Sequence, residues 1–269
     1  MWPVPEVSNG PVTLWYAERG DPDGMPVVLL HGLFFSRRLF ERLARRLPQY
    51  RMLLLDLRGH GRSSRPTDPD SYSWRLLAED VVAFLDRMGI ERAVVGGLSL
   101  GANVTLAVAT VAAERLSGAI VEMPVLDGGQ PMAERVFGTV GRVLRGAGAA
   151  ARPVARAAQP LRRTRLPELG ALGDLLSLEP IAMAAMLSGL TSDTETVLEG
   201  PAALGKAGVP TLVIAHRHDP IHPLDDARAV VNAVSDSELA VMFSQADLRL
   251  RPDRYAAIIG GFLRRLPRT

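Results

Sequence analysis

Apolar runs and helical patterns alternate along the first half of the chain. Five segments have the apolar or alternating pattern of a β-strand: residues 12–18, 26–30, 52–56, 93–98 and 116–121. Apolar residues repeat at helical spacing over residues 37–47, 74–88 and 102–113. Continuous apolar strands that alternate with helices predict a mostly parallel sheet with helices on both faces.

The alternation stops between residues 131 and 201. This segment is rich in Ala, Gly, Arg and Leu at helical spacing, and it contains no convincing buried strand. The strand pattern returns at residues 210–215 and 239–243, and a helical pattern follows at residues 252–266. We therefore predict an α/β core made of residues 1–127 and 201–269, with a helical cap inserted at residues 128–200.

Composition excludes several classes of protein. Hydrophobic residues make up 47% of the 269 residues, which is too many for a disordered chain. The absence of cysteine excludes disulfide scaffolds, cysteine-bound zinc and thiol nucleophiles. The 31 basic residues are balanced by 29 acidic ones, so we predict no nucleic-acid partner.

Two segments bear on location. Residues 93–113 carry no charge, but their glycines, serine, asparagine and threonines favour a strand, a turn and a packed helix over a transmembrane span. The first ten residues have neither a basic stretch nor an apolar core typical of a signal peptide. We therefore expect a cytoplasmic protein without a transmembrane span.

The motif Gly97-Leu98-Ser99-Leu100-Gly101 stands between a predicted strand and a predicted helix. In that setting a G-x-S-x-G sequence forms a sharp turn that exposes the serine hydroxyl at the carboxyl end of the strand. The glycines allow the flanking backbones to approach closely. Ser99 is therefore the candidate nucleophile.

His31, Gly32 and Leu33 directly follow the predicted strand at residues 26–30. Such a turn can direct the backbone N–H of Leu33 toward the serine. Together with the N–H of Leu100, it would form an oxyanion hole with two donors. His31 would then serve the structure of the loop.

With these loops and the segment Asp56-Leu-Arg-Gly-His60-Gly-Arg-Ser63, the chain resembles the α/β-hydrolase fold superfamily over nearly its whole length. The resemblance implies an eight-stranded, mostly parallel sheet and a helical cap that covers the pocket and selects the substrate. It also implies that the 56–63 loop is structural, so His60 is not a candidate catalyst.

The loop after residues 210–215 carries His216, His218, Asp219 and His222. Members of the superfamily carry the acid of the catalytic triad in this loop, and Asp219 occupies the matching position. A triad acid orients the imidazole and stabilises the imidazolium. Three nearby histidines can also indicate a metal site, but the chain offers no companion cluster, and we predict neither a metal nor a cofactor.

The triad histidine itself has no match. The superfamily places it just after the last strand, where this chain has Gln245 or Asp247, depending on which end of the loop is aligned. No histidine occurs beyond His222. Because a serine hydroxyl without a base is a poor nucleophile, either the base is missing or another group replaces it. His222 is the first candidate, and Glu122 and Asp247 are the others.

The predicted cap is rich in arginine. Glu134 is the only acid between residues 131 and 165, against eight arginines: Arg135, Arg142, Arg145, Arg152, Arg156, Arg162, Arg163 and Arg165. These arginines can bind an anionic substrate or acidic lipid, or they can form a solvated face. We favour the solvated face.

The sequence therefore predicts a serine hydrolase of a small ester, lactone or related acyl compound. Two alternatives remain open because the base is uncertain. One is a lyase or cyclase that uses the oxyanion hole without acylating Ser99, and the other is a catalytically inactive protein that binds a small ligand. All three interpretations imply a small-molecule partner.

Overall fold

A computed structural model describes most of the chain. The described residues are 6–151, 153, 157–162, 164, 167–191, 193–217, 219, 221–243 and 251–267.

Eight strands form one sheet. In chain order they are β1 (Glu6–Asn9), β2 (Val12–Gly20), β3 (Pro26–Leu30), β4 (Arg51–Asp56), β5 (Ala93–Leu98), β6 (Leu116–Glu122), β7 (Thr211–His216) and β8 (Ser237–Met242). Their order across the sheet is β1-β2-β4-β3-β5-β6-β7-β8. Strands β1 and β2 are antiparallel to their neighbours, and the other strands pair in parallel. This is the mostly parallel sheet that the sequence predicts.

Helices cover both faces of the sheet. In chain order the described α-helices, including those inserted between β6 and β7, are α1 (Glu41–Ala44), α2 (Trp74–Arg87), α3 (Leu100–Ala112), α4 (Gln130–Ala147), α5 (Gln159–Arg162), α6 (Pro167–Leu176), α7 (Pro180–Leu190), α8 (Glu195–Leu198), α9 (Gly200–Ala207), α10 (Leu224–Ala233) and α11 (Pro252–Arg265). Every residue of β5 and β6 is buried, because α3 packs on one face and α11 on the other. This explains why these strands read as continuous apolar runs.

The structure differs from the sequence predictions in some details. The helix predicted over residues 37–47 is a 3₁₀ turn, Arg37–Phe40, followed by the short α1. At the start of this segment the backbone N–H of Arg37 donates to Asp56 Oδ1, and the Arg37 side chain forms a buried ion pair with the same carboxylate. These contacts, rather than the helical periodicity, determine the local backbone conformation. Strand β1 was not predicted, because only one of its four residues is buried.

Helices α4 to α9 lie between β6 and β7, and the described part of residues 131–201 contains no strand. Helix α4 packs against α7, and the Trp74 Nε1–H donates to the carbonyl of Leu190 at the end of α7. Helix α9 packs instead on α3 and α10 of the core. A cap domain with limits at residues 128 and 200 stays a prediction. None of the described helices is long and apolar enough to cross a membrane.

The glycines around Ser99 permit a close backbone contact. A methyl group at Gly97 would lie 2.3 Å from the carbonyl oxygen of Leu30, and one at Gly101 would lie 2.0 Å from the same oxygen. Both distances are far below van der Waals contact, and the opposing atom is backbone that cannot rotate away. The junction between β5 and α3 therefore requires residues without a side chain at both positions.

We predict that Gly101→Ala lowers the free energy of unfolding by about 1–3 kcal/mol, because overpacking forces the backbone of α3 away from β3. Gly138→Ala is the matched control: Gly138 also lies within a helix, and an added methyl there meets nothing within 4 Å. It is expected to be neutral or to stabilise by up to about 1 kcal/mol. Urea unfolding of both variants measures the difference, and equal effects would contradict the close contact at Leu30.

Candidate active site

Ser99 lies at the turn between β5 and α3 with a left-handed backbone, φ 53° and ψ −108°. Its N–H donates to the carbonyl of Glu122 on the neighbouring strand at 2.8 Å, which ties the turn to the sheet. The side chain is only partly buried and reaches a cavity. The first N–H groups of α3 have no partner within the helix, so positive partial charge is concentrated beside the hydroxyl.

His222 is the titratable side chain that meets Ser99. Its Nε2 lies 2.9 Å from Ser99 Oγ, although the two residues are 123 positions apart. The imidazole is almost fully buried, with 7% of the side chain exposed. In the tautomer that carries its proton on Nδ1, Nε2 accepts the hydrogen bond from the serine hydroxyl.

Asp219 lies on the opposite side of the same imidazole. Its Oδ1 is 3.0 Å from His222 Nδ1, close enough for an ion pair, but the two groups are not aligned for a hydrogen bond. The same oxygen accepts the backbone N–H groups of Ile221 at 2.9 Å and of His222 at 3.1 Å. These bonds close the loop on itself and fix the carboxylate beside the ring. The structure thus brings Ser99, His222 and Asp219 together, with the imidazole in contact with both the hydroxyl and the carboxylate.

Leu33 and Leu100 both line the cavity beside Ser99. The loop that carries Leu33 is held by its neighbours: Phe34 has a left-handed backbone, φ 67°, and its N–H donates to His60 Nε2 at 3.3 Å. The hydroxyl of Ser36 donates to Asp174 of α6 at 2.7 Å. The loop is therefore fixed from the core and from the inserted helices, and the role of the Leu33 N–H as an oxyanion donor stays a prediction.

Two buried histidines hold the loops under the cavity in their neutral form. His31 Nε2 accepts the N–H of Leu57 at 3.0 Å, and its Nδ1 lies 2.9 Å from its neighbour's carbonyl at Gly32. Burial lowers the pKa of His31. Burial, together with the adjacent His31, lowers the pKa of His60 from its ordinary 6.5 to about 3. Both rings act as structural hydrogen-bonding groups, as predicted for His60.

A buried ion pair anchors the same region. Asp56 Oδ2 lies 2.5 Å from Arg37 Nη1, and its carboxylate also accepts the backbone N–H groups of Arg37 and Arg62. Burial alone would raise the pKa of Asp56, but the Arg37 guanidinium, His31 and these N–H groups hold it below its usual range. The carboxylate therefore stays charged and binds the end of β4 to the loop after β3.

The cavity above Ser99 opens to solvent. Its walls are mainly apolar side chains from the core and from α4, α7 and α8: Leu33, Trp74, Leu100, Val125, Ala133, Phe137, Leu187, Leu190, Val197 and Leu198. Asn103 also lines it, but its amide already donates to and accepts from the backbone of Val125, at 2.9 and 3.0 Å. The sequence analysis did not predict that Asn103 binds the backbone of Val125. The available signal was a single amide side chain in a mainly apolar helix.

Glu122 does not join the site at Ser99. Its Oε1 accepts from Tyr255 at 2.5 Å and lies 2.9 Å from His216 Nε2, in a buried cluster on the α11 side of the sheet. It is not among the residues that line the cavity. The idea that Glu122 replaces the missing base is therefore wrong: its carboxylate is bound elsewhere. Tyr255, which completes the cluster, was not singled out from the sequence.

Gln245 and Asp247, the positions aligned with the usual triad histidine, lie outside the described residues. So do His218 and four of the eight arginines, Arg152, Arg156, Arg163 and Arg165. Among the described residues no three potential metal ligands come together. Arg135, Arg142 and Arg145 of α4 are exposed, and no described arginine lines the cavity.

The chain is similar to known proteins in both sequence and structure. A family model described as the α/β hydrolase fold matches residues 25–246. The AB hydrolase superfamily protein YisY of Bacillus subtilis (strain 168) is 29% identical over 245 residues, covering 85% of this chain and 86% of YisY. The enol-lactonase from Burkholderia xenovorans LB400 matches with a TM-score of 0.77 at 22% identity, covering 96% of this chain and 99% of the enzyme. A thermophilic esterase from Thermogutta terrifontis matches with a TM-score of 0.74 at 24% identity over 97% of each chain.

The neutral histidines predict a pH-dependent stability. As the pH falls below 6.5, the unfolded chain binds more protons at His31 and His60 than the folded protein does, so the free energy of unfolding decreases; for His60 this loss continues to about pH 3. Each histidine adds a slope of up to about 1.4 kcal/mol per pH unit. Asp56, whose pKa is lowered from 3.8, adds its own loss only below that pH. Urea unfolding across this range tests the prediction, and a constant free energy between pH 6.5 and 3.8 would contradict it.

Proposed function

The chain belongs to the α/β-hydrolase fold family, and we propose that it is a serine hydrolase of uncharged esters or lactones. Ser99 is the nucleophile, His222 the general base and Asp219 the acid that supports it. The observation that carries the proposal is the 2.9 Å contact between Ser99 Oγ and His222 Nε2. That distance lies within the range required for proton transfer from a nucleophile to its base.

In this proposal the acid and the base come from one loop. Asp219 and His222 are three residues apart, and the backbone bonds on Asp219 Oδ1 fix their separation. The carboxylate favours the tautomer with a proton on Nδ1 and stabilises the imidazolium after proton transfer. His222 thereby supplies the group that the loop after β8 lacks.

Acylation begins when Ser99 Oγ attacks the carbonyl carbon of the ester and its proton passes to His222 Nε2. The carbonyl oxygen becomes an oxyanion, which accepts hydrogen bonds from the N–H groups of Leu33 and Leu100. Collapse of this intermediate breaks the bond to the leaving oxygen, which takes the proton from His222. The alcohol departs, and the acyl group remains on Ser99.

Deacylation repeats these steps with water as the nucleophile. Water gives its proton to His222 Nε2 as its oxygen attacks the acyl carbon, and the same two N–H groups hold the oxyanion. The bond to Ser99 Oγ then breaks, and the serine recovers the proton from His222. The products are a carboxylic acid and the alcohol; for a lactone, both groups belong to one molecule.

The walls of the cavity favour an uncharged, apolar acyl group. Helices α4, α7 and α8 act as a cap in this proposal, since they supply Phe137, Leu187 and Val197 above the nucleophile. Glu134 stands at the cavity, whereas the described arginines do not, so the described walls offer no cation to a substrate carboxylate. An anionic acyl group would lose its hydration there without a counter-ion.

We predict that a fluorophosphonate probe labels Ser99 covalently and that Ser99→Ala abolishes labelling. Ester hydrolysis should fall by about 10³-fold or more in Ser99→Ala and in His222→Ala, because the oxyanion hole and binding alone provide the residual rate. The double variant should lose little more than either single variant, since a nucleophile and its base act as a unit. Steady-state kcat/KM for an aryl ester measures all three.

Two outcomes would contradict this assignment. An intact, folded protein that the probe does not label would favour a lyase, a cyclase or a non-catalytic ligand-binding protein. A gain of orders of magnitude on introducing a histidine by Asp247→His, with little loss in His222→Ala, would show that the base is missing rather than relocated to His222.

We further predict a strong preference between two matched substrates. A p-nitrophenyl ester of a straight-chain acid should be hydrolysed at least about 100-fold more efficiently than the half-ester of a dicarboxylic acid of the same length, because burying an unpaired carboxylate costs several kcal/mol. Comparison of kcat/KM for the two esters checks this. Equal efficiencies would mean that a cation reaches the acyl group.

A further inference from the structure

Asp226 is a buried carboxylate that lies outside the proposed triad. It belongs to the first turn of α10, four residues after His222, and only 4% of its surface is exposed. Its two oxygens accept three backbone N–H groups from the segment that leads from β6 into α4: Leu126 at 2.7 Å, and Gly128 and Gly129 at 2.9 Å each. A single side chain thus joins the His222 loop to the start of the inserted helices.

The charge of Asp226 is well matched to this position. Gly129 is the N-cap residue of α4, and Asp226 accepts its N–H and those of Leu126 and Gly128 directly before the helix begins. Asp226 also lies in the first turn of α10. The amino ends of two helices therefore face one carboxylate, and both favour negative charge.

The two segments are also in direct contact beside the base. A methyl group at Gly129 would lie 2.4 Å from the carbonyl oxygen of Ile221, the residue before His222. A methyl group at Gly128 would lie 2.6 Å from Asp226 Oδ1 and 3.2 Å from the ring of Pro223. The backbone on both sides of His222 is thus packed against the segment that Asp226 binds.

We propose that Asp226 is a positioning residue: by binding residues 126–129, it holds the His222 imidazole at hydrogen-bonding distance from Ser99. This role rests on the proposed function of His222 as the base. Without the three hydrogen bonds, the loop separates from the start of α4 and the imidazole loses its fixed approach to the hydroxyl. Neither Asp226 nor residues 126–129 line the cavity themselves.

The test compares Asp226→Asn with Asp225→Asn. Asparagine keeps the size of Asp226 but replaces one accepting oxygen with an NH₂ group that faces an N–H donor. Asp225 is the matched control, because it lies in the same helical turn with 84% of its side chain exposed, paired with Arg228. In Asp226→Asn we expect kcat and the rate of fluorophosphonate labelling to fall by about 10–100-fold, with little change in KM. A loss of this size is expected because misplacement of a catalytic group by about 1 Å can reduce the rate by about 100-fold. Asp225→Asn should match the unaltered protein in both.

A second readout does not depend on turnover. The ring resonances of His222 and the exchange protection of the Leu126, Gly128 and Gly129 amides should change in Asp226→Asn and stay unchanged in Asp225→Asn. If Asp226→Asn does not fold, Gly129→Ala separates the same two segments and should give the same changes.

Unchanged labelling, kcat and His222 resonances in folded Asp226→Asn would overturn the positioning role. So would a loss confined to KM, since that would assign Asp226 to the pocket walls. If the unaltered protein neither reacts with the probe nor hydrolyses esters, the proposed function fails, and the His222 resonances alone then decide whether Asp226 positions the ring.

Discussion

Ser99 keeps a left-handed backbone because β5 and α3 press Gly97 and Gly101 against the carbonyl of Leu30. Such a conformation costs on the order of 1–3 kcal/mol for a residue with a side chain. The surroundings offset that cost, since every residue of β5 is buried and α3 is buried along nearly its whole length. The strained turn is therefore held between two elements that are buried along all or nearly all of their length. Every other group of the candidate site is placed relative to a hydroxyl whose position is fixed in this way.

The loops around that hydroxyl are held by buried polar groups whose charges are balanced or absent. His31 and His60 are neutral, so each ring can accept a backbone N–H from a loop that has no regular secondary structure. Asp56 is charged, but Arg37 and two backbone N–H groups surround it. Because an unsatisfied buried polar group is costly, these contacts define one arrangement of the loops. In the proposed mechanism, this arrangement preorganises the N–H groups of Leu33 and Leu100 for an oxyanion.

The sequence predicted the parts of the structure that local pattern determines. Strand runs, the turn at Ser99 and the loop at Leu33 follow from burial and from glycine positions, and the eight-stranded sheet confirms the fold. From the sequence, His222 could be named only as a candidate partner of Ser99. The two residues are 123 positions apart, and hydrophobic periodicity does not predict contacts at that separation. Glu122 stayed among the candidates for the same reason: its partners, His216 and Tyr255, come from β7 and α11. Asp226 was missed because its three partners are backbone N–H groups, which every sequence contains.

The proposed mechanism places the acid and the base in one loop, and this changes what the fold must control. In the usual arrangement of this family, three segments converge on the active site, and each is positioned by its own strand. Here Asp219 and His222 move together, since two backbone hydrogen bonds on Asp219 Oδ1 fix their separation. The whole loop could still move relative to Ser99. A contact with a residue outside the loop must therefore fix its position. The inserted helices begin directly against this loop, so in the proposed mechanism the segment that shapes the substrate cavity also sets the position of the base.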